Sequence, residues 1–136
     1  MKVVSSKAKW AGHAMSWLVV AFMLLDGGMK LVPLEVTTEA AAMLGYPGAA
    51  EFTRGLGLTG IVCALLYAVP RTSVLGAILL SGYMGGTAAA HLRVGNPLFT
   101  HMLFGIYFAV LAWGGLYFRD PRIRALLPLR TARTEE

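Results

Sequence analysis

The chain has 136 residues, enough for one domain and too few for two; 57% are hydrophobic and only 14% charged, and the mean hydropathy is +0.63. A soluble domain of this size carries about a quarter of its residues as charges, so this composition excludes an ordinary water-soluble surface and names lipid as the solvent. The net charge of +5 comes without any basic stretch interleaved with aromatics, which excludes a nucleic-acid partner, and the lone Cys63 excludes an internal disulfide or a C-x-x-C redox pair.

The first apolar segment runs over residues 11–31, behind Lys2, Lys7 and Lys9. Its apolar run "WLVVAFMLLDGGMKLVP" continues through Asp26 and Lys30 without a small-x-small cleavage site, so it reads as a retained helix and not a signal peptide. Asp26 and Lys30 stand at i, i+4 near its far end, on one face, where they can pair. The connection "VPLEVTTEAAAMLGYPGAAE" suggests a short interfacial helix over 38–44, with Thr37 as N-cap and Gly45 as the stop.

The second segment covers 52–69, with Glu51 and Arg54 at its start and Gly60, Ala64 and Ala68 at four-residue spacing. "VPRTS" turns the chain into the third segment, 74–90, which carries Gly82, Gly86 and Ala90 beside Gly85 and Ala89. It ends at His91 and Arg93, and "VGNP" turns into the fourth, 98–118, with His101 in its first turn and Gly105 and Ala109 beyond. Residues 119–136 form a basic tail with Arg119, Arg122, Arg124, Arg130 and Arg133.

Each segment approaches the roughly 20 residues needed to cross a hydrocarbon core, and an isolated run in lipid must be helical to satisfy its backbone. The expected fold is therefore all-α: an integral membrane, antiparallel four-helix bundle forming one membrane domain over 1–136. The small residues are expected to bring its helices close. Cations gather at the N-terminus, at Arg71 and in the tail, whereas Glu35, Glu39 and Glu51 face the other side. The positive-inside rule then puts both termini in the cytoplasm, as an even number of spans requires.

On that topology all four helices deliver ionisable groups to one extracytoplasmic level: Asp26, Lys30, Glu51, Arg54, His91, Arg93 and His101. Charges within a span are expensive and mark function; the plainer reading is an interfacial ring, with Lys30 and Arg93 reaching out to the headgroups. His13 belongs at the opposite end, so the histidines do not assemble the three or four ligands of a zinc site. No metal site, catalytic nucleophile–base pair or covalently held cofactor is assigned.

The stretches "DGGMKL", "LGYP", "AVPRTSVLGAILLSGYMGGTAAAHLRVGNP" and "LYFRDPRIRALLPLR" resemble the DoxX-like family of small bacterial four-helix membrane proteins, over roughly residues 25–130. The resemblance implies a location in the bacterial inner membrane. The DoxX name comes from a subunit associated with a quinone-linked oxidase, so the resemblance also implies a diffusible quinone or a membrane redox partner; the small-residue stripes separately allow a second copy of the chain as partner. The expected function is a redox-linked accessory or binding subunit, whose seven polar residues hold a quinone-like or other small amphiphilic molecule. The alternatives are a structural or interaction subunit without a ligand, and a small transporter component; the apolar run "GIVCALLYAV" in the second segment speaks against the latter.

Overall fold

A computed structural model describes residues 4–32, 34–47 and 50–129; Lys2, Arg130 and Arg133 of the sequence reading lie outside them. The described residues contain helices and no strand: α1 (Ser6–Leu31), α2 (Glu35–Met43), α3 (Ala50–Ala68), α4 (Ser73–Arg93), a π-helical turn (Leu98–Met102), α5 (Phe104–Arg119) and α6 (Pro121–Leu126). Three stretches, Ser6–Leu31, Ser73–Arg93 and Leu98–Arg119, are long and apolar enough to cross a membrane.

Four long helices close a cycle of contacts, α1 against α3 and α5, and α4 against the same two. Gly27 near the end of α1 faces Gly57 near the start of α3, and Gly12 near the start of α1 faces Gly115 near the end of α5. Gly76 near the start of α4 lies on the backbone of Tyr67 near the end of α3. Neighbours therefore run antiparallel.

The interior is filled by Val19, Met23, Ala64, Tyr67, Ala77, Leu80, Ala112 and Leu116, with Cys63 buried among them. The outside is apolar too: Leu18 and Leu25 on α1, Leu58 and Leu65 on α3, Leu75 and Ile78 on α4, and Ile106 and Val110 on α5 are all exposed. An apolar surface on every long helix is incompatible with water around it, and a lipid bilayer is the matching environment.

With lipid as solvent, burial of apolar surface no longer drives helices together, and close backbone approach does. The close approaches fall at Gly12, Gly27, Gly57, Gly76, Gly105 and Gly115, where an added Cβ would strike a neighbouring helix. Gly82, Gly85 and Gly86 behave otherwise: a Cβ at any of them meets nothing within 4 Å. The small-residue stripe expected to pack α4 is thus only partly a packing stripe. Four-residue spacing identifies a face, and it does not say which side that face is on.

Two caps shape the turns at one end of the molecule. Gly45 (φ +76°) and Gly95 (φ +71°) each occupy the left-handed position after a helix. After α2, Gly45 N–H bonds to Ala42 C=O and Tyr46 N–H to Ala41 C=O; after α4, Gly95 N–H bonds to Leu92 C=O and Asn96 N–H to His91 C=O. Both are Schellman ends. The interfacial helix begins three residues earlier than the sequence suggests. Glu35 opens its first turn, where the helix dipole favours a carboxylate, and Thr37 donates its hydroxyl back to Leu34 C=O (2.7 Å) instead of capping.

Candidate functional site

Asp26 and Lys30 sit one helical turn apart on α1, and the sequence pairing is realised: Lys30 Nζ donates to Asp26 Oδ2 at 2.6 Å. The ammonium also lies 3.4 Å from the Tyr83 hydroxyl of α4. Side chains on a helix lean towards its N-terminus, which carries Lys30 back along α1 towards Asp26. The reading in which Lys30 reaches outward to the headgroups is corrected by this geometry. The two side chains are only 23% and 34% exposed, so the pair works in a poorly wetted seam. There a charge-assisted hydrogen bond is strong and an unpaired charge costly.

His91 and His101 form a second group. Their rings lie edge to face with centroids 5.6 Å apart. Asn96 holds His91 twice: its backbone N–H takes the His91 carbonyl, and its amide nitrogen lies 2.7 Å from His91 Nδ1. The Asn96 amide thus holds the His91 ring through Nδ1 and leaves Nε2 for another partner. His101 is set by the π turn. The carbonyl of Pro97 receives the N–H groups of both His101 and Met102 at 3.2 Å, and Leu103 N–H reaches Leu98 C=O at 2.9 Å. The fourth segment therefore opens with a widened turn, and the regular helix starts at Phe104. Such turns often mark functional positions.

The other three predicted residues stand apart. Arg93 is exposed and its guanidinium donates to the carbonyl of Leu44, so it clasps the end of α2 to the end of α4. Glu51 and Arg54 are exposed, and neither makes a hydrogen bond or ion pair among the described residues. Tyr83, beside Lys30, precedes His91 by about 12 Å of helix. The seven residues thus occupy separate groups at different depths, and the expected common level resolves into an inner pair, an outer histidine pair and a surface rim.

A groove of about 490 Å³ runs along the seam of α4 and α5, lined by Met84, Gly85, Gly105, Ala109, Trp113 and Tyr117 among others. Its polar atoms satisfy one another: Trp113 Nε1 donates to Ser81 Oγ at 2.8 Å, and Ser81 donates on to Ala77 C=O at 2.8 Å. What faces the groove is therefore almost wholly apolar. His91 follows Met84 by seven residues and so shares its face of α4, while His101 precedes Gly105 by four. Neither His91 nor His101 lines the groove; both stand beyond it, on the two segments that form it.

Tyr83 and Asn96 carry no signal in the sequence that marks them as partners of the charged groups. Tyr83 sits amid glycines and alanines and looks like an interface aromatic, and Asn96 looks like a turn residue; only the fold shows that each ties a site residue down.

An all-helical chain with membrane-length helices and a lipid-facing apolar surface defines an integral membrane protein. The chain belongs to the DoxX-like family, whose model matches residues 14–115. The match begins before and stops short of the stretch on which the resemblance rests, so α6 and "RDPRIRALLPLR" lie beyond it. No curated protein and no solved structure matches the chain.

Proposed function

We propose that the chain is a four-span bacterial inner-membrane protein with both termini in the cytoplasm. In it the α4–α5 groove holds the apolar body of a small amphiphilic molecule of the quinone class, and His91 and His101 hold its polar head. On this reading the protein is a redox-linked accessory or binding subunit. The observation that carries the reading is the apolar α4–α5 groove, with the paired rings of His91 and His101 on the continuation of the same two segments. A volume of about 490 Å³ falls within the range of small-molecule sites, which run from roughly 300 to 1,000 Å³. With Nδ1 engaged by Asn96, His91 keeps Nε2 for the polar head.

Four spans are supported by the length of α3, 19 residues or about 28 Å of helix, close to one hydrocarbon thickness. The orientation is supported by Lys7, Lys9, Arg71 and Arg122 at one end and Glu35, Glu39 and Glu51 at the other. A second reading, a ligand-free structural subunit, is favoured by Asp26 and Lys30, which neutralise each other within the chain.

Thermal unfolding in mild detergent tests the ligand directly. A ubiquinone or menaquinone analogue is expected to raise the melting temperature, since a ligand that binds only the folded state stabilises it. Gly85→Leu fills the groove from a position with open space beyond it, and is expected to fold normally and lose the response. His91→Ala should weaken the response. Absence of stabilisation by any quinone would overturn the proposal.

A further inference from the structure

At the opposite end of the molecule from the histidines a second cavity, about 130 Å³, lies between α1, α3 and α5. It is lined by His13, Ser16, Trp17, Tyr67, Pro70 and Arg119 among others. Gly12 and Gly115 let α1 and α5 touch beside it, and a side chain at Gly115 would collide with the hydroxyls of Ser16 and Tyr67.

The hydrogen-bond inventory of this cavity does not close. Tyr67, fully buried, donates its hydroxyl to Ala112 C=O at 2.7 Å. Its 2.9 Å contact with Ser16 Oγ must then be made with Ser16 as donor. Both hydroxyl hydrogens are spent. Arg119 lies over the Tyr67 ring, its guanidinium carbon 5.7 Å from the centroid. Its Nε and Nη2 are buried with no acceptor among the described residues. The neighbouring carboxylate is engaged elsewhere, since Asp120 caps α6 by accepting the Arg122 N–H at 2.9 Å. An arginine stays charged at any physiological pH, and burying its donors without an acceptor is strongly unfavourable. Among the described residues the cavity presents a cation and spare donors, and lacks an anion.

Size and position narrow the chemistry. One water needs roughly 10–15 Å³ of such space, so about 130 Å³ admits a compact oxoanion and excludes a quinone. Trp10 and Trp17, 76% and 63% exposed on α1, stand at this end with the exposed Lys7, Lys9 and Arg71. Exposed tryptophans and cations mark the headgroup level of a membrane protein. A planar guanidinium matches a phosphate by two parallel hydrogen bonds.

We propose that Arg119, with His13 at the mouth of the cavity, binds a phosphate oxoanion, presented by an anionic phospholipid headgroup or by free phosphate. His13 and Arg119 both lie outside the residues matched by the family model. The site does not depend on the groove or on its ligand.

The full chain in a neutral detergent provides the test, read as melting temperature against added phosphatidylglycerol or inorganic phosphate, with chloride at equal ionic strength as reference. Stabilisation by phosphatidylglycerol alone identifies the headgroup as the source, and stabilisation by inorganic phosphate identifies the free anion. Arg119→Gln is expected to weaken binding about ten- to a hundredfold, whereas Arg122→Gln, at an exposed position of α6, leaves it unchanged. Should Arg119→Gln fail to fold, His13→Glu decides the matter: it changes an exposed position and brings a carboxylate to Arg119, and should abolish the response. The proposal is overturned if neither phosphate source stabilises, if His13→Glu retains the full response, or if Arg122→Gln loses as much as Arg119→Gln.

Discussion

Lys30 and Arg119 are both cations drawn into helix seams of an apolar chain, at opposite ends of it, and they are treated oppositely. Lys30 finds Asp26 on its own helix and Tyr83 on the next. Arg119 lies on the ring of Tyr67 and leaves two buried nitrogens without an acceptor among the described residues. In a medium of low polarity a charge must be matched. A match supplied from within is structure, and one left open invites a ligand. The same contrast separates the two tyrosines. Tyr83 offers its hydroxyl to a charge, whereas Tyr67 spends its hydroxyl on a backbone carbonyl.

The largest effect is expected from breaking the inner pair. Asp26→Ala strands Lys30 in its seam and should lower stability by about 2 kcal/mol, the partial exposure of both groups keeping it below the 3–5 kcal/mol of a fully buried pair. Replacing both together, Asp26→Leu with Lys30→Met, removes the charges as a unit and should return to within about 1 kcal/mol of the parent. Unfolding of the single and double variants in detergent measures the coupling between them. Two additive losses would mean that the pair does not act as one.

A smaller loss is expected at the other end. Tyr67→Phe deprives Ser16 of its acceptor and Ala112 of a second hydrogen bond, at about 1–2 kcal/mol. The ring that carries the Arg119 guanidinium is kept. Thermal stability should therefore fall while the response to phosphate persists, which separates the hydroxyl chain from the cation above it. Loss of the phosphate response with unchanged stability would assign the anion to the hydroxyls instead.

The parts legible in the sequence are those in which both partners belong to one helix or one turn. The long helices follow from run length, the Asp26–Lys30 pair from i, i+4 spacing, and the stop at Gly45 from its backbone preference. The parts that stayed hidden depend on which face of a helix turns inward. Gly85 and Gly105 look alike as small residues in apolar runs, yet a Cβ at Gly85 would meet open space and one at Gly105 would strike the Met84 backbone. Arg119 reads as the first cation of a basic tail, because nothing in "LYFRDPR" reveals that α1 passes beside it. His13 is legible as standing at the end opposite His91 and His101, but the residues it meets there are not.

The smallest effect concerns the surface rim. Glu51 and Arg54 stand at i, i+3 on the first turns of α3, a spacing that brings side chains to one face. Both are exposed and unpaired among the described residues. Even where such an exposed pair forms, it contributes at most about 1 kcal/mol. Glu51→Ala and Arg54→Ala should each shift stability by less than about 0.5 kcal/mol, and should leave any response to a quinone analogue as it is. Thermal unfolding with and without the analogue measures both quantities. Should Arg54→Ala abolish the quinone response while His91→Ala preserves it, the polar head would be held from α3, and the histidine pair would join Asp26 and Lys30 as a device for packing helices.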